Sequence, residues 1–160
     1  MFSTFCRSLR CISRTSAYDS NISLSVFMPP NENPNAFASK KILVVEDDRV
    51  LRRVIADHLK FEGFSVIEAE DGETGLATAL SEHPDVSLLD VVMPKMDGMA
   101  LLKELREDEW GKQAKVILLT NLNDSEMVSR AMQRGVTDYL VKADWDIQSI
   151  VEKVKEKLKS

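Results

Sequence analysis

The stretch that decides the fold is Asp85-Val-Ser-Leu-Leu-Asp90-Val-Val-Met-Pro-Lys-Met-Asp97-Gly98. Residues 86–89 are apolar apart from Ser87, and they run directly into Asp90. Val91, Val92 and Met93 follow, then Pro94 and the turn pair Asp97-Gly98. A strand of this composition is buried on both faces, so its end should meet water or a turn. Here it meets a carboxylate at the lip of the core. A carboxylate avoids such a place unless something compensates its charge. Asp90 is therefore read as a chemical site, served by the ends of other strands.

On either side the chain alternates between two periods. Residues 41–46 form a short run with β-branched members and read as the first strand. Asp47-Asp48 stops it, and Asp48 suits a helix N-cap. The helix that follows carries Val50, Leu51, Val54, Ile55 and Leu59 at helical spacing, and Gly63 should end it. Residues 64–69 alternate and read as the second strand; 73–82 read as a helix closed by His83-Pro84. Residues 86–90 are the third strand. A helix from 96 or 98 to 106 turns Met99, Leu101, Leu102 and Leu105 inward. The nearly all-apolar 115–120 is the fourth strand, 124–134 a helix stopped by Gly135, and 137–142 the fifth strand. A last helix opens near Asp144 or Asp146 and puts Ile147, Ile150, Val151, Val154 and Leu158 on one face. Its lysine-rich final turns suit the negative end of the helix dipole.

Strict strand–helix alternation predicts an α/β domain with a parallel sheet. Strands 1, 3 and 4 are apolar on both faces and belong at the centre, whereas Ser65 and Glu68 mark strand 2 as an edge. Right-handed crossovers with helices on both faces then favour a doubly wound five-stranded sheet of order 2-1-3-4-5, a flavodoxin-like three-layer sandwich.

The first part of the chain differs. Residues 1–39 are rich in Ser and Asn, hold Pro29, Pro30 and Pro34, and show no sustained period. They read as a disordered tail, with the domain proper at 40–160. Arg7, Arg10 and Arg14, with no acid among the first 18 residues, have the composition of a transit peptide. The alternative is an extension without a role, with Met28 as the effective start. Both cysteines, Cys6 and Cys11, lie in this tail, so no disulfide framework or cysteine zinc site supports the domain. The apolar runs are far short of a membrane span, and the domain is expected in the cytoplasm. A net charge of −5 argues against a nucleic-acid surface.

In a sheet of this order, ligands bind at the carboxyl ends of the strands where the winding reverses, between strands 1 and 3. Those ends carry Glu46 and Asp47 on strand 1, Asp90 on strand 3, Thr120 and Asn121 on strand 4, and Lys142 on strand 5. The three carboxylates repel one another and raise one another's pKa values. A hard divalent cation removes that penalty. Mg²⁺ takes oxygen ligands and leaves room for phosphate oxygens. The formal charges of the acids, Lys142 and the cation then cancel. Asp90 is the natural phosphoryl acceptor, since the transfer needs mainly in-line positioning and charge neutralisation.

With these residues in view, the stretch from Lys40 to Ser160 resembles a response-regulator receiver domain of a two-component system, of the single-domain chemotaxis-regulator type. The resemblance rests on Glu46-Asp47, the run Leu89-Asp90-Val-Val-Met93-Pro94 with Met96-Asp97-Gly98, Thr120, and Asp138-Tyr139-Leu-Val-Lys142. It implies that a sensor histidine kinase or histidine phosphotransfer protein donates a phosphoryl group to Asp90. It implies Mg²⁺ held by Asp47, Asp90 and the backbone carbonyl of Val92, and through water by Glu46. Lys142 and Thr120 contact the phosphoryl group, and Thr120 and Tyr139 act as the switch. The surface around the fourth helix, fifth strand and last helix then changes, and a downstream protein target binds. A phosphorylation-dependent homodimer belongs to the same implication. The short remainder after Lys142 leads to the expectation of a stand-alone regulator that acts by protein contact, without direct nucleic-acid or membrane binding.

The sequence departs from the family pattern at three positions. Glu46 stands where Asp is commoner, Asn121 where Ala or Gly is usual, and Ala143 where Pro is usual. A trans Lys142–Ala143 bond is expected, since cis before a non-proline residue costs about 2.5–4 kcal/mol. A phosphohydrolase is the rival enzyme reading, but the position two after Asp90 is Val92, not a general acid. The alternative non-enzymatic reading is a receiver-like binding module indifferent to phosphorylation. His58 and His83 are assigned no chemistry, and Asp97-Gly98 is read as turn chemistry.

Overall fold

The computed structural model describes residues 37, 39–120, 129, 132, 133, 135, 138–144 and 146–160. The stretch 1–36, Asn121, Trp145 and most of the helix expected over 124–134 lie outside the described residues. The elements are β1 (Lys41–Val45), α1 (Arg49–Phe61), β2 (Ser65–Ala69), α2 (Gly72–Glu82), β3 (Val86–Asp90), α3 (Gly98–Leu105), β4 (Val116–Thr120), β5 (Asp138–Val141) and α4 (Ile147–Lys159).

Each of these helices opens on an aspartate. Asp48, Asp71, Asp97 and Asp146 accept hydrogen bonds from the first free backbone N–H groups of α1, α2, α3 and α4. A cap of this kind is worth about 1 kcal/mol, and the negative charge also suits the positive end of the helix dipole. The helix ends use different devices. Gly63, at φ 93°, turns the chain after α1, and His83, at φ 46°, closes α2 before Pro84.

All the strand pairs are parallel, in the order β2-β1-β3-β4-β5. The expected central strands are central, and β2 is an edge. Strand alternation divides the core in two. One cluster joins Leu43, Val45, Leu89 and Leu118 to Ala79 of α2 and to Met99, Leu101, Leu102 and Leu105 of α3. The other joins Ile42, Val44, Val86, Leu88, Ile117 and Leu119 to Ile55 and Leu59 of α1 and to Ile150, Val151 and Val154 of α4. The result is the expected three-layer sandwich. Phe37, in the stretch assigned to the tail, packs its ring 5.4 Å from that of Phe64.

One helix face is only partly covered. The sheet covers Leu51, Ile55, Ala56 and Leu59, but leaves Val50 73% and Val54 42% exposed. The apolar arc of α1 is wider than the surface that one sheet face can cover. Val50, Val54 and the 88% exposed Phe61 fall on one stripe at helical spacing.

The central strand contains one flaw. Ser87 is 1% exposed, and its hydroxyl has no partner among the described residues. An unsatisfied buried hydroxyl costs about 1–3 kcal/mol. Ser87→Ala is therefore expected to raise the unfolding free energy by about 1 kcal/mol. The neighbouring Leu88→Ala should lower it by about 2–5 kcal/mol. Urea denaturation of the two variants checks the pair.

Candidate functional site

Register brings the strand ends together. Val45 pairs with Leu89, so Glu46 follows beside Asp90. Asp90 pairs with Leu119, and Thr120 pairs with Val141, so Thr120 and Lys142 come next along the same edge. On alternation, Glu46 continues the row of Ile42 and Val44, and Asp90 that of Val86 and Leu88. Both carboxylates thus extend an apolar face. Glu46, Asp90 and Thr120 are all at most 2% exposed.

Lys142 compensates this burial. Its ammonium donates to Glu46 Oε2 at 2.8 Å and Oε1 at 3.1 Å, and lies 2.9 Å from Asp90 Oδ2. Its backbone N–H donates to the carbonyl of Thr120 at 2.6 Å, which fastens the end of β5 to that of β4. Lys142 therefore reaches both acids with Ala143, not Pro, behind it. The Val92 amide donates to Asp90 Oδ1 at 3.3 Å, while the Val92 side chain is exposed. Carboxylate oxygens of Glu46, Asp47 and Asp90 lie within 4.8 Å of one another. Asp47 is exposed where its two companions are buried.

The electrostatics follow from burial first. The Glu46 carboxyl is raised to about 7: burial pushes it up most, the hydrogen bond from Lys142 pulls it down, and the charge of Asp90 pushes it up again. Burial pulls Lys142 down, but its hydrogen bonds to Glu46 and Asp90 outweigh this and hold it above the ordinary lysine value. One ammonium thus serves two buried acids, with a third acid alongside. A set of hard oxygen donors with excess negative charge fits a divalent cation.

The loop after Asp90 is held by contacts that sequence reasoning missed. Lys95 sits at φ 65°, a strained backbone for a non-glycine residue, and its ammonium pairs with Asp71 at 2.6 Å. Asp71 is also the α2 cap, and Lys95 first, then the Thr74 hydroxyl and amide, hold its carboxyl far below the usual range. A Cβ on Gly72 would lie 2.2 Å from the Met96 carbonyl oxygen, and one on Gly98 2.1 Å from that of Asp90. The Asp97-Gly98 turn thus does more than turn: Asp97 caps α3 and Gly98 permits close approach to the Asp90 peptide. The Asp71-Gly72 pair is by its composition a turn signal. Its partner Lys95 lies 24 residues away, and no local pattern links them.

The other named residues fall as follows. Tyr139 lies in β5 opposite Leu118 and is 41% exposed. His58 Nδ1 contacts the Val54 carbonyl on the exposed side of α1, and His83 stacks on Trp110 at 4.6 Å. Neither histidine belongs to the acid cluster.

The fold and this edge define a doubly wound α/β protein with a buried acid–lysine crevice where its winding reverses. Residues 42–155 match the response regulator receiver domain, and the chain belongs to that family. A probable transcriptional regulator ycf27 of Porphyridium aerugineum is 38% identical over 103 residues, 64% of this chain and 42% of that one. The DNA-binding dual master transcriptional regulator RpaA of Synechocystis sp. is 31% identical over 119 residues, 74% of this chain and 49% of that one. The match thus spans less than half the length of these relatives. Chemotaxis protein CheY4 of Vibrio cholerae superposes with a TM-score of 0.69 at 28% identity, covering 74% of this chain and 98% of that one. The receiver domain of a Pseudomonas aeruginosa sensor histidine kinase, solved with a magnesium ion coordinated in its active site cleft, gives 0.69 at 28% identity, covering 76% and 99%.

The raised Glu46 carboxyl has a measurable consequence. The folded state holds a proton up to about pH 7 that the unfolded chain releases near 4.5. Folding then binds more protons than unfolding across that window, so metal-free stability falls as pH rises through it. Denaturation curves in EDTA at pH 5 and pH 7.5 should show the loss, and Glu46→Gln should flatten it.

Proposed function

We propose that Asp90 is the phosphoryl acceptor of a Mg²⁺-dependent phosphorelay. The observation that carries this reading is Lys142 bridging Asp90 and Glu46 at 2.9 and 2.8 Å, in a cluster completed by Asp47. The donor is a sensor histidine kinase or a histidine phosphotransfer protein. The Asp90 carboxylate attacks the phosphorus of a phosphoimidazole. The O–P bond forms as the P–N bond breaks, and the imidazole takes the electron pair. An ionised carboxylate needs no base, so no further proton acceptor is required.

The residues that would hold Mg²⁺ are Asp47, Asp90 and the Val92 carbonyl, with Glu46 acting through water. The ion supplies charge neutralisation for the phosphoryl oxygens. Lys142 offsets the remaining charge at Asp90. Thr120, at the next strand end, offers its hydroxyl to the phosphoryl group. With Val92 two positions after the acceptor, no side chain there serves as a general acid, which supports a held phosphoryl group over turnover of phosphate esters.

The exposed stripe of α1 supports the choice of a protein donor. Val50 and Val54, flanked by Arg49 and Arg53, line a shallow pocket on the helix that begins just after Asp47 and Asp48. An apolar contact beside the acceptor would dock a donor and bring its imidazole to Asp90. Output runs through Thr120 and the half-exposed Tyr139 of β5 to a downstream protein or a second copy of the chain. The setting is the cytoplasm, where such kinases present their phosphohistidine. Among the described residues no helix is long and apolar enough to cross a membrane.

Two measurements test the reading. With a small phosphodonor and Mg²⁺, intact mass should show one phosphoryl adduct on the native chain and none on Asp90→Asn. An adduct that survives Asp90→Asn refutes the acceptor assignment, and partner binding indifferent to that substitution favours a phosphorylation-independent binding module. Val50→Asp and Val54→Asp, at exposed positions, should slow transfer from a phosphohistidine protein about tenfold or more, as loss of a well-placed apolar contact costs. Labelling by the small donor should stay at the native rate.

A further inference from the structure

Asp47 poses a question that the acid cluster does not answer. Glu46 and Asp90 are held by burial and by Lys142. Asp47 is exposed, and among the described residues its carboxylate takes no hydrogen bond or ion pair. It also lies past the strand ladder, because β1 pairs with β2 and β3 only as far as Val45. Something else must aim it.

The backbone of this corner is held from α1. Arg52 Nη1 donates to the Glu46 carbonyl at 2.6 Å and reaches the Asp47 carbonyl at 3.4 Å. The Arg52 side chain is only 12% exposed, and its Nε lies 4.0 Å from Glu68 Oε2 on the edge strand. Glu68 is held in turn by Lys60 at 2.9 Å. The guanidinium thus holds the Glu46 carbonyl, while the Glu46 N–H donates to the Ala69 carbonyl of β2 at 3.2 Å. A planar fork can serve two carbonyls and a carboxylate together, which a single ammonium cannot do as well. Glu68 offsets part of the Arg52 charge, since the same carboxylate also pairs with Lys60.

We propose that Arg52 is a positioning residue. It fixes the Glu46 and Asp47 peptides through their carbonyl oxygens, and thereby aims the Asp47 carboxylate at the metal site. Glu68 on β2 orients Arg52 for this task. The inference rests on the Mg²⁺ reading above and extends it to residues outside the acid cluster.

The test uses the full chain and two readouts. Calorimetric titration with Mg²⁺ compares native protein with Arg52→Met, which keeps most of the packing stem, and with Arg52→Lys. Loss of a group that orients a metal ligand costs about tenfold in affinity. Arg52→Met should therefore raise the Mg²⁺ dissociation constant about tenfold. Arg52→Lys should recover part of the affinity. The second readout is amide hydrogen exchange in EDTA, where Arg52→Met should accelerate exchange at Glu46, whose N–H is bonded to the Ala69 carbonyl, while leaving β3 protected. A folded Arg52→Met with native Mg²⁺ affinity and native exchange overturns the proposal. If Arg52→Met does not fold, Glu68→Gln replaces it, and unchanged affinity and exchange in that variant overturn the proposal equally. Failure of the native chain itself to bind Mg²⁺ sinks the functional reading, and the exchange experiment still decides the role of Arg52.

Discussion

The structure depends on how two buried carboxylates are compensated at the edge of an apolar sheet. Glu46 and Asp90 extend rows of Ile, Val and Leu that reach 0% exposure, and both are themselves buried. Removing the partner of a buried charge costs roughly 3–5 kcal/mol. Lys142 supplies that partner from a strand end distant in sequence, and β4 and β5 hold it in reach through the Lys142–Thr120 backbone bond. The compensation is incomplete: one lysine among three acids leaves an excess of negative charge, which suits a divalent cation.

The remaining architecture keeps this edge rigid. On one side Gly72 and Gly98 let backbone approach backbone so closely that a Cβ at either would overlap a carbonyl oxygen. Lys95 accepts a strained φ there, and its ion pair with Asp71 offsets part of that strain. On the other side Arg52 reaches the carbonyls of the acid pair from α1. The same aspartates and arginines that cap and clothe the helices also tether the loops of the site. Asp71 is the clearest instance, since it caps α2 and holds the loop after Asp90 at once.

Much of the fold was legible because the signals are local. Alternation in 64–69, continuous apolarity in 86–89, and the aspartate caps at 48 and 146 each act within one element, so their reading needs no partner. The site residues were legible for a related reason. In a parallel α/β sheet the strand ends converge by topology, so a list of strand ends is already a list of neighbours. The covered part of the α1 face was not legible, because periodicity shows that Val50 and Val54 are on an apolar arc, but not how much of that arc the sheet covers. Lys95 with Asp71, and Arg52 with Glu46, were not legible at all, because one pair spans 24 residues and the other joins a side chain to a carbonyl that every residue has.

The sequence by itself determined the five-stranded alternation, the strand order and the set of acid, hydroxyl and lysine groups at the carboxyl edge. These follow from side-chain period, β-branched composition and the topology that short crossovers allow. Only the tertiary structure decided how the groups are charged and aimed. That Lys142 bridges Glu46 and Asp90, that the Glu46 carboxyl is raised to about 7, chiefly by burial, and that Asp47 stays exposed depend on depth and distance. Depth and distance arise when helices close over the sheet, and no run of residues along the chain encodes them separately.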